Sequence, residues 1–353
     1  MDYIVLDLEW NQCPGGKERE NPDLPFEILE IGAIRLDESF HMKDSFHERI
    51  RPQVYHQLHY RTKQILGVSI KEFNKARKFP AVLKDFLKWC GTDYTFATWG
   101  PMDLDYLQNN MDFYRIQQTL AKPLFYYDVQ KLFSLIYEDG KTRKSLKYAA
   151  DFFELEQDRP FHRAIDDAYY TAKILSRMKP EEAIIYCSVD YHNPPSSRSE
   201  EIHLHFPGYS KFVSQIYDNK EDIMSDRMVT VTPCHICGRS LRKKIRWFTS
   251  NNSIYYCLSL CPEHGYMQGK IRIKKTDGGY YFAIRTSKMI SEEKAGSIRE
   301  KQEQLRVKRR IRRSRNVTAA SYTPTAGAVN LTISQTAADK RKKMRQAKQK
   351  KNK

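Results

Sequence analysis

The first 180 residues order short apolar runs and helical periods in a way that leaves few folds open. Residues 3–10 (YIVLDLEW) alternate with period two, and after a Gly/Pro loop two more strand patterns follow, ILEIGAIRL at 28–36 and SFHERIRP at 45–52. Helical periods cover 59–66 and 79–90. A short strand, TFATWG at 95–100, leads into a helix from Asp103, then LFYYDV reads as a strand with a helix running to Tyr137, and further helices cover 145–155 and 164–178. Three strands in succession, then strands alternating with helices, predict an α/β fold: a mixed sheet packed by helices on both faces. Residues 190–201 (DYHNPPSSRSEE) read as a linker, and the segment IHLHFPGYSKFVSQIYD beyond it fits against either flanking domain.

Composition narrows the class. With 40% hydrophobic and 12% aromatic residues the chain supports a core, which excludes a disordered or collagenous body. No run approaches the roughly 18–20 apolar residues that span a bilayer. The start MDYIVLDLEWNQ has carboxylates where a signal peptide has a basic stretch and an apolar middle. A soluble, cytoplasmic protein without a membrane partner is the expectation. Seven cysteines, four of them between Cys234 and Cys261, suit metal ligation in a reducing compartment better than a disulfide framework. The net charge of +17 is uneven: residues 301–353 hold 17 basic and 2 acidic side chains and residues 226–300 hold 14 and 6, leaving residues 1–225 with 29 basic against 35 acidic. A basic end on an acidic body points to a polyanionic partner.

Three segments carry candidate metal-binding carboxylates. Asp7 and Glu9 are two apart on a strand, so both point to one face, where they repel unless a cation neutralises them. Asp103 stands where a strand ends and a helix begins, a common place for ligands in α/β sheets; Asp105 competes with it, and the alternative is an aspartate that complements the helix dipole. In FHRAIDDAYYTAKIL, residues 164, 167, 168, 171, 172 and 175 share a small, apolar helix face with Asp167 in its midst. Asp166 falls on the stripe of Tyr169, Tyr170, Lys173 and Arg177 and reads as a solvated neighbour. His162 precedes Asp167 by five residues. Trp10 and Trp99 flank the motifs and read as packing residues, with base stacking the alternative; Glu30 and Arg35 read as ordinary polar positions of a sheet.

VLDLEW, ATWGPMDLDYL and SLKYAADFF followed by HRAIDDA together resemble the three motifs of the DEDD (DnaQ-like) 3′-to-5′ exonucleases in their histidine subtype. The tyrosine subtype would place Tyr at position 163, which here is Arg163. The W-G-x-x-D-L wording is similar to the branch that holds histone-mRNA-type exoribonucleases and bacterial sporulation-inhibitor-like exonucleases. The resemblance implies a ribonuclease H-like domain over residues 1–180. It also implies two Mg²⁺ or Mn²⁺ ions, with Asp7 bridging both, Glu9 and Asp167 completing the site that activates water, Asp103 serving the second ion, and His162 as general base. Hard divalent ions prefer oxygen ligands, in keeping with four carboxylates. The activity expected is release of nucleoside 5′-monophosphates from single-stranded ends, RNA favoured. A single-stranded DNA exonuclease acting in repair and a catalytically silent nucleic-acid-binding regulator are the alternatives.

CHICG and CPEHG place Cys234 and Cys237, then Cys261 and His264, each pair two residues apart and followed by glycine, with 23 residues between Cys237 and Cys261. Such paired knuckles resemble a zinc ribbon holding one structural Zn²⁺, the glycines permitting the tight turns. Cys257 competes with His264 for the fourth position; His264 is preferred because it alone completes the second knuckle. Two β-hairpins with turns at SNNS and TDGG follow from the pattern. In the second, Lys270, Arg272 and Lys274 alternate with Ile271 and Ile273, and with Arg242, Lys243, Lys244 and Arg246 they offer a surface for phosphates. The zinc module is expected over 202–290, after a linker at 181–201, and a basic tail over 291–353, disordered or transiently helical, that adds salt-sensitive affinity for RNA or DNA, with a solubilising or partner-binding role the alternatives. The pattern does not define an oligomeric state.

Overall fold

The computed structural model describes residues 1–320 except Gln118 and Asn252, and gives side chains throughout that span except for Ser250 and residues 313–320. Met1–Ala295 form one compact unit, and the chain from Gly296 forms a second.

The central strand β1 (Asp2–Gln12) pairs antiparallel with β2 (Phe26–Leu36), which pairs antiparallel with β3 (Met42–Arg49). After α1 (Tyr60–Leu66) and α2 (Phe79–Cys90), β4 (Tyr94–Thr98) joins β1 in parallel. Helix α3 (Met102–Phe113) leads to β5 (Phe125–Asp128), parallel to β4. Helices α4 (Val129–Tyr137), α5 (Leu146–Phe152), α6 (Ala164–Leu175) and α7 (Pro180–Ala183) precede the short β6 (Ser188–Val189), antiparallel to β5. The order β3-β2-β1-β4-β5-β6 is the mixed sheet that the sequence pattern predicts.

Period-two alternation along β1 divides its side chains between two cores. Ile4, Leu6 and Leu8 pack with α2 and α3 through Phe86, Leu104 and Leu107. Tyr3 and Val5 face the other way, toward Leu132, Ala168 and Ala172 of α4 and α6. Further along this second face the apolar pattern gives way to Asp7 and Glu9. Opposite Asp7 in register is Gly32 of β2. A Cβ built on Gly32 would lie 2.2 Å from the Ala164 carbonyl carbon and 2.2 Å from the Ile165 nitrogen. The first turn of α6 therefore rests on the bare backbone of β2, an approach that any side chain would block.

The second sheet is entirely antiparallel. It contains β7 (Ile202–Phe206), β8 (Tyr209–Val213) and, after the short α8 (Lys220–Ser225) and α9 (Arg227–Thr230), β9 (Lys243–Asn251), β10 (Ile254–Cys261), β11 (Gly265–Lys275) and β12 (Tyr281–Met289). Their order is β7-β8-β12-β11-β10-β9, so both expected hairpins form, and IHLHFPGYSKFV joins this sheet as a third hairpin. Val189 of β6 packs with Ile202, Val213, Phe282 and Ile284, which fastens the two sheets together.

The segment read as a linker is held along α3. His192 Nε2 is 2.8 Å from Asp112 Oδ2 and its Nδ1 is 3.3 Å from Asp105 Oδ1, while Gln108 Nε2 donates to Asp190 at 2.9 Å. Burial pulls the His192 pKa down, but its two carboxylate partners outweigh that and hold it at about 9. Pro- and Ser-rich composition removes periodicity without removing polar contacts. The start of the expected tail differs too, because Glu292–Ala320 form helix α10. Low apolar content argued against a packed segment, yet the residues are good helix formers. Ser291 Oγ accepts from Lys294 N at 3.3 Å, Glu292 and Glu293 occupy the first turn, and Glu303 pairs with Arg306 at 3.6 Å. The remainder of that tail, 321–353, lies outside the described residues. No helix among the described residues is long and apolar enough to cross a membrane.

The Gly32 contact is testable. Gly32→Ala forces α6 off β2 and should lower stability by about 1–3 kcal/mol, the usual cost of overpacking, with a matching drop in the urea midpoint. An unchanged midpoint would show that the approach is not constraining.

Candidate active site

Four elements converge at the C-terminal half of β1. The carboxylates of Asp7 and Glu9 from β1 and Asp167 from the first turn of α6 offer oxygens that all lie within 4.8 Å of one another. Asp103, buried in the first turn of α3, reaches the same strand from the other side. Ladder pairing between β1 and β4 ends at Leu6 and Thr98, and the next-but-one amide, Leu8 N, donates to Asp103 Oδ1 at 3.1 Å. Asp105, its competitor in the sequence, points to His192 instead. His162 holds Asp167 through its backbone: His162 N donates to both carboxylate oxygens at 3.3 and 3.2 Å, with His162 at a left-handed φ of 69° and its side chain exposed. A non-glycine residue in that conformation costs energy that a functional turn can sustain.

The acids are under mutual strain. Burial first, then the charges of Asp103, Asp167, Glu9 and Glu30, hold Asp7 well above the usual carboxylate range. Burial together with Asp167, Glu30 and Asp103 lifts Glu9 to about 8, against an opposing pull from Arg163. Burial raises Asp103 to about 7 despite the Leu8 amide, and Asp167 to about 6 despite the His162 amide. Asp7, Glu9 and Asp167 could hold a cation, with Asp103 beside them, and a donor set made only of hard oxygens fits Mg²⁺ or Mn²⁺.

Some participants escape sequence reading. Glu30 lies across the ladder from Glu9 and is fully buried; its Oε1 is 2.8 Å from His47 Nε2 and its Oε2 has no hydrogen-bond partner. The signal was a lone acid inside the apolar run 28–34. Asp166 is not a solvated neighbour: it pairs with Arg159 at 3.5 Å, and Phe161 stacks on the fully buried Tyr170 at 4.7 Å, because residues 159–161 fold over that side of α6. Trp10 packs edge-on to Tyr106 at 4.7 Å and Trp99 lies 6.3 Å from Phe133, in line with packing roles.

A second cluster lies at one end of the other sheet. Cys234 Sγ is 3.6 Å and Cys261 Sγ 3.5 Å from His264 Nδ1, and Cys237 Sγ is 3.9 Å from Cys261 Sγ. All four ligand atoms lie within 4.8 Å of one another. Gly238 and Gly265 take φ of 68° and 81°, the turns their knuckles need. Cys257 is elsewhere, buried on β10 opposite Gly269, where a Cβ would meet its sulfur. The Cys₃His set is compatible with zinc. The expected phosphate surface divides: Lys270, Arg272 and Lys274 alternate with buried Ile271 and Ile273 and line a cleft, whereas Arg242, Lys243, Lys244 and Arg246 lie on or beside the edge strand β9, outside it.

The central strand of a mixed sheet thus ends in clustered carboxylates that could hold a divalent cation. Residues 4–175 match the family model described as Exonuclease. The 3′-5′ exoribonuclease 1 of Rattus norvegicus is 27% identical over 192 residues, 50% of this chain and 53% of that protein. The probable 3′-5′ exonuclease KapD of Bacillus subtilis strain 168 is 24% identical over 188 residues, 51% of this chain and 85% of that protein. Among solved structures, the nuclease domain of 3′hExo, a DEDDh family member bound to rAMP, aligns with a TM-score of 0.46 at 22% identity, covering 54% of this chain and 97% of that one. The chain spans about half the length of the mammalian relatives it matches.

The raised acids give a signed pH dependence. Each is protonated in the unfolded chain only below about pH 4 but stays protonated in the metal-free fold up to about 6, 7 and 8 for Asp167, Asp103 and Glu9. The cluster therefore favours the metal-free fold fully at low pH, and that contribution is lost as pH rises through this window. Metal-free protein should lose thermal stability between pH 5 and 8.5, and saturating Mn²⁺ should restore progressively more of it across the same range. Asp167→Asn, which removes a charge that repels Asp7, Glu9 and Asp103, should raise the metal-free Tm at pH 8 by about 2–4 °C, the effect of roughly 1 kcal/mol, while weakening the Mn²⁺ response. Parallel pH profiles for the two proteins in calorimetry would contradict this account.

Proposed function

We propose that the chain is a metal-dependent 3′-to-5′ exonuclease acting on single-stranded ends, with RNA favoured over DNA and nucleoside 5′-monophosphates as products. The observation that carries the reading is the convergence of Asp7, Glu9 and Asp167, with Asp103 beside them, within the residues that match the Exonuclease family model. These four carboxylates would hold two Mg²⁺ or Mn²⁺ ions. When bound, such ions supply positive charge against the phosphate, the attacking water and the leaving 3′ oxygen.

The chain's own residues do the rest. His162, exposed on a turn tied to Asp167, takes the proton of the attacking water at a ring nitrogen, a role suited to an imidazole near neutral pH. The Leu8 amide fixes the Asp103 carboxylate, and the His162 amide fixes that of Asp167, so two of the four ligands are oriented by backbone groups. Gly32 sets the distance between the strand-borne and helix-borne acids. A silent binding protein would be expected to have lost one of the five residues, and Asp7, Glu9, Asp103, His162 and Asp167 are all present. The preference for RNA is supported by the name of the mammalian relatives, exoribonuclease.

The Cys234, Cys237, Cys261 and His264 cluster holds one structural Zn²⁺ in this reading, in a reducing cytoplasm that keeps the thiols available. The basic residues beyond the catalytic domain, including those of the tail, add salt-dependent affinity for the strand.

Two measurements test these assignments. Matched 5′-labelled single-stranded RNA and DNA incubated with Mn²⁺ should shorten stepwise from the 3′ end, RNA faster, and Asp7→Ala should slow this by about a thousand-fold or more; intact strands after incubation with the unmutated protein would sink the assignment. For the second site, His264→Ala should lose bound zinc in elemental analysis and lower the Tm, whereas Cys257→Ser should retain one zinc per chain. Zinc retained by the first variant and lost by the second would reverse the choice of ligand.

A further inference from the structure

A cleft of about 1270 Å³ lies between helix α3 and the face of the second sheet. Eight cations line it: Arg115, Lys275 and six others, namely Lys131 and Arg143 on the side of the first sheet, Lys211 from β8, and Lys270, Arg272 and Lys274 from β11. Asp23 and Asp277 share its wall, and so do four acids engaged by other groups. Asp105 and Asp112 flank His192, Asp190 accepts from Gln108 and from His192 N, and Asp128 caps α4 by accepting from Lys131 N at 2.8 Å. None of the six cations makes an ion pair with a carboxylate among the described residues.

Positive charges gathered in a buried wall oppose one another. Burial pulls Lys131 down to about 8, and Lys211 adds to that shift against the pull of Asp128. Burial also lowers Lys211, opposed by Asp128 and the Cys187 thiol, with Arg272 and Lys274 pushing down as well. Lys131 Nζ is held in the wall by Ser188 Oγ at 3.0 Å and Tyr186 O at 3.3 Å, and Lys274 Nζ lies 4.6 Å from the centre of the Tyr191 ring. An anion in the cleft would relieve this arrangement, as cations relieve the carboxylate site.

The shape of the charge says which kind of anion. Lys270, Arg272 and Lys274 alternate along one strand, so their row extends about 13 Å, longer than a single phosphate needs and suited to an extended polyanion. Its lining also includes Pro101 and Met102, the residues immediately before Asp103, and the half-buried Phe26, which stacks on Tyr106 at 4.4 Å. Asp7, Glu9, Asp103, His162 and Asp167 themselves do not line it. The cleft therefore adjoins the carboxylate site without containing it.

We propose that this cleft binds the phosphate backbone of single-stranded nucleic acid, holding the nucleotides upstream of the 3′ end that enters the carboxylate site. The strand's polarity rests on the exonuclease reading, and the binding itself does not. Successive phosphates face the β11 row and the Lys131–Lys211 wall, while Phe26 presents an aromatic edge where the strand turns toward Asp103.

The test uses the full chain with His162→Ala, so that strands remain intact, and fluorescence anisotropy with 5′-labelled oligouridylates of 2 to 12 nucleotides. Affinity should rise with length and then plateau. Adding Arg272→Glu and Lys274→Glu should weaken the longest strand by at least ten-fold, make its salt dependence shallower by roughly one to two in log–log slope, and matter less as the strand shortens. Arg143→Ala, on the opposite wall and exposed, should act in the same direction and guards against misfolding of the double variant. Lys84→Glu with Lys88→Glu on α2, an equal change of charge remote from the cleft, should stay within about two-fold. Equal losses in the α2 and cleft variants, no dependence on length, or displacement by inorganic phosphate as effective as by oligonucleotide would overturn the proposal. If the unmutated protein cuts no strand, the exonuclease reading fails, while these binding data still decide the cleft.

Discussion

Where a side chain on Gly32 would be, the first turn of α6 lies instead. Ala164 and Ile165 are at a distance from the β2 backbone that only a missing Cβ allows, and because Gly32 sits opposite Asp7 in register, the helix that carries Asp167 arrives directly over the strand that carries Asp7 and Glu9. The small residues that follow on α6, Ala168 and Ala172, continue this close packing into the core. A larger residue at position 32 would displace the helix, and carboxylates several ångströms further apart could not share one cation, since ligand oxygens around Mg²⁺ must all come within roughly 2.1 Å of it. Site geometry here is a consequence of helix-on-sheet packing.

The same closeness carries an electrostatic cost. Four acids, with Glu30 as a buried fifth neighbour, are drawn together with little in the protein to neutralise them: two backbone amides and the charge of Arg163. The fold accepts this because the two hydrophobic cores on either side of β1 hold the strand independently of the charges at its end. The opposed arrangement recurs at the cleft, where eight cations collect and four of the acids are engaged with His192, Gln108 and a helix terminus. Each cluster is unfavourable for the empty protein and favourable for an ion of opposite sign, a common mark of groups placed for binding.

Most of the fold was legible because the first 180 residues obey simple patterns: alternation in β1, an apolar run in β2, helical spacing in α2, α4 and α6. The D-x-E pair and the aspartate at a strand-to-helix junction were readable for the same reason, since each fixes side-chain direction within one element, whereas the role expected of His162 came from the family resemblance. What failed to show was whatever depends on two elements meeting. Nothing in the sequence singles out Gly32 until α6 is seen above it. Glu30 reads as an ordinary polar position of a sheet until β1 and β3 flank it. His192 reads as part of a linker because its partners, Asp105 and Asp112, are about 80 residues away. The extent of helix α10, where the sequence suggested transient helix at most, was underread for another reason: propensity and capping form a helix without the apolar stripe that signals packing.

Charge counted along the chain misleads in the same way. Acids outnumber bases in residues 1–225, yet Arg115, Lys131, Arg143 and Lys211 come from that stretch and form half of the cationic lining of the cleft. Conversely Arg242, Lys243, Lys244 and Arg246, within the basic third, take no part in it. What a polyanion meets at short range is the local balance left after each acid has found its partner, since exposed charges beyond about 10 Å are screened at ordinary ionic strength. On that measure the acidic domain contributes a positive wall as well as its negative site, and the two are adjacent, joined by the Pro101–Met102 turn that opens α3. A phosphate chain is held by one whatever the state of the other, and comes against the carboxylates only when cations have made them attractive.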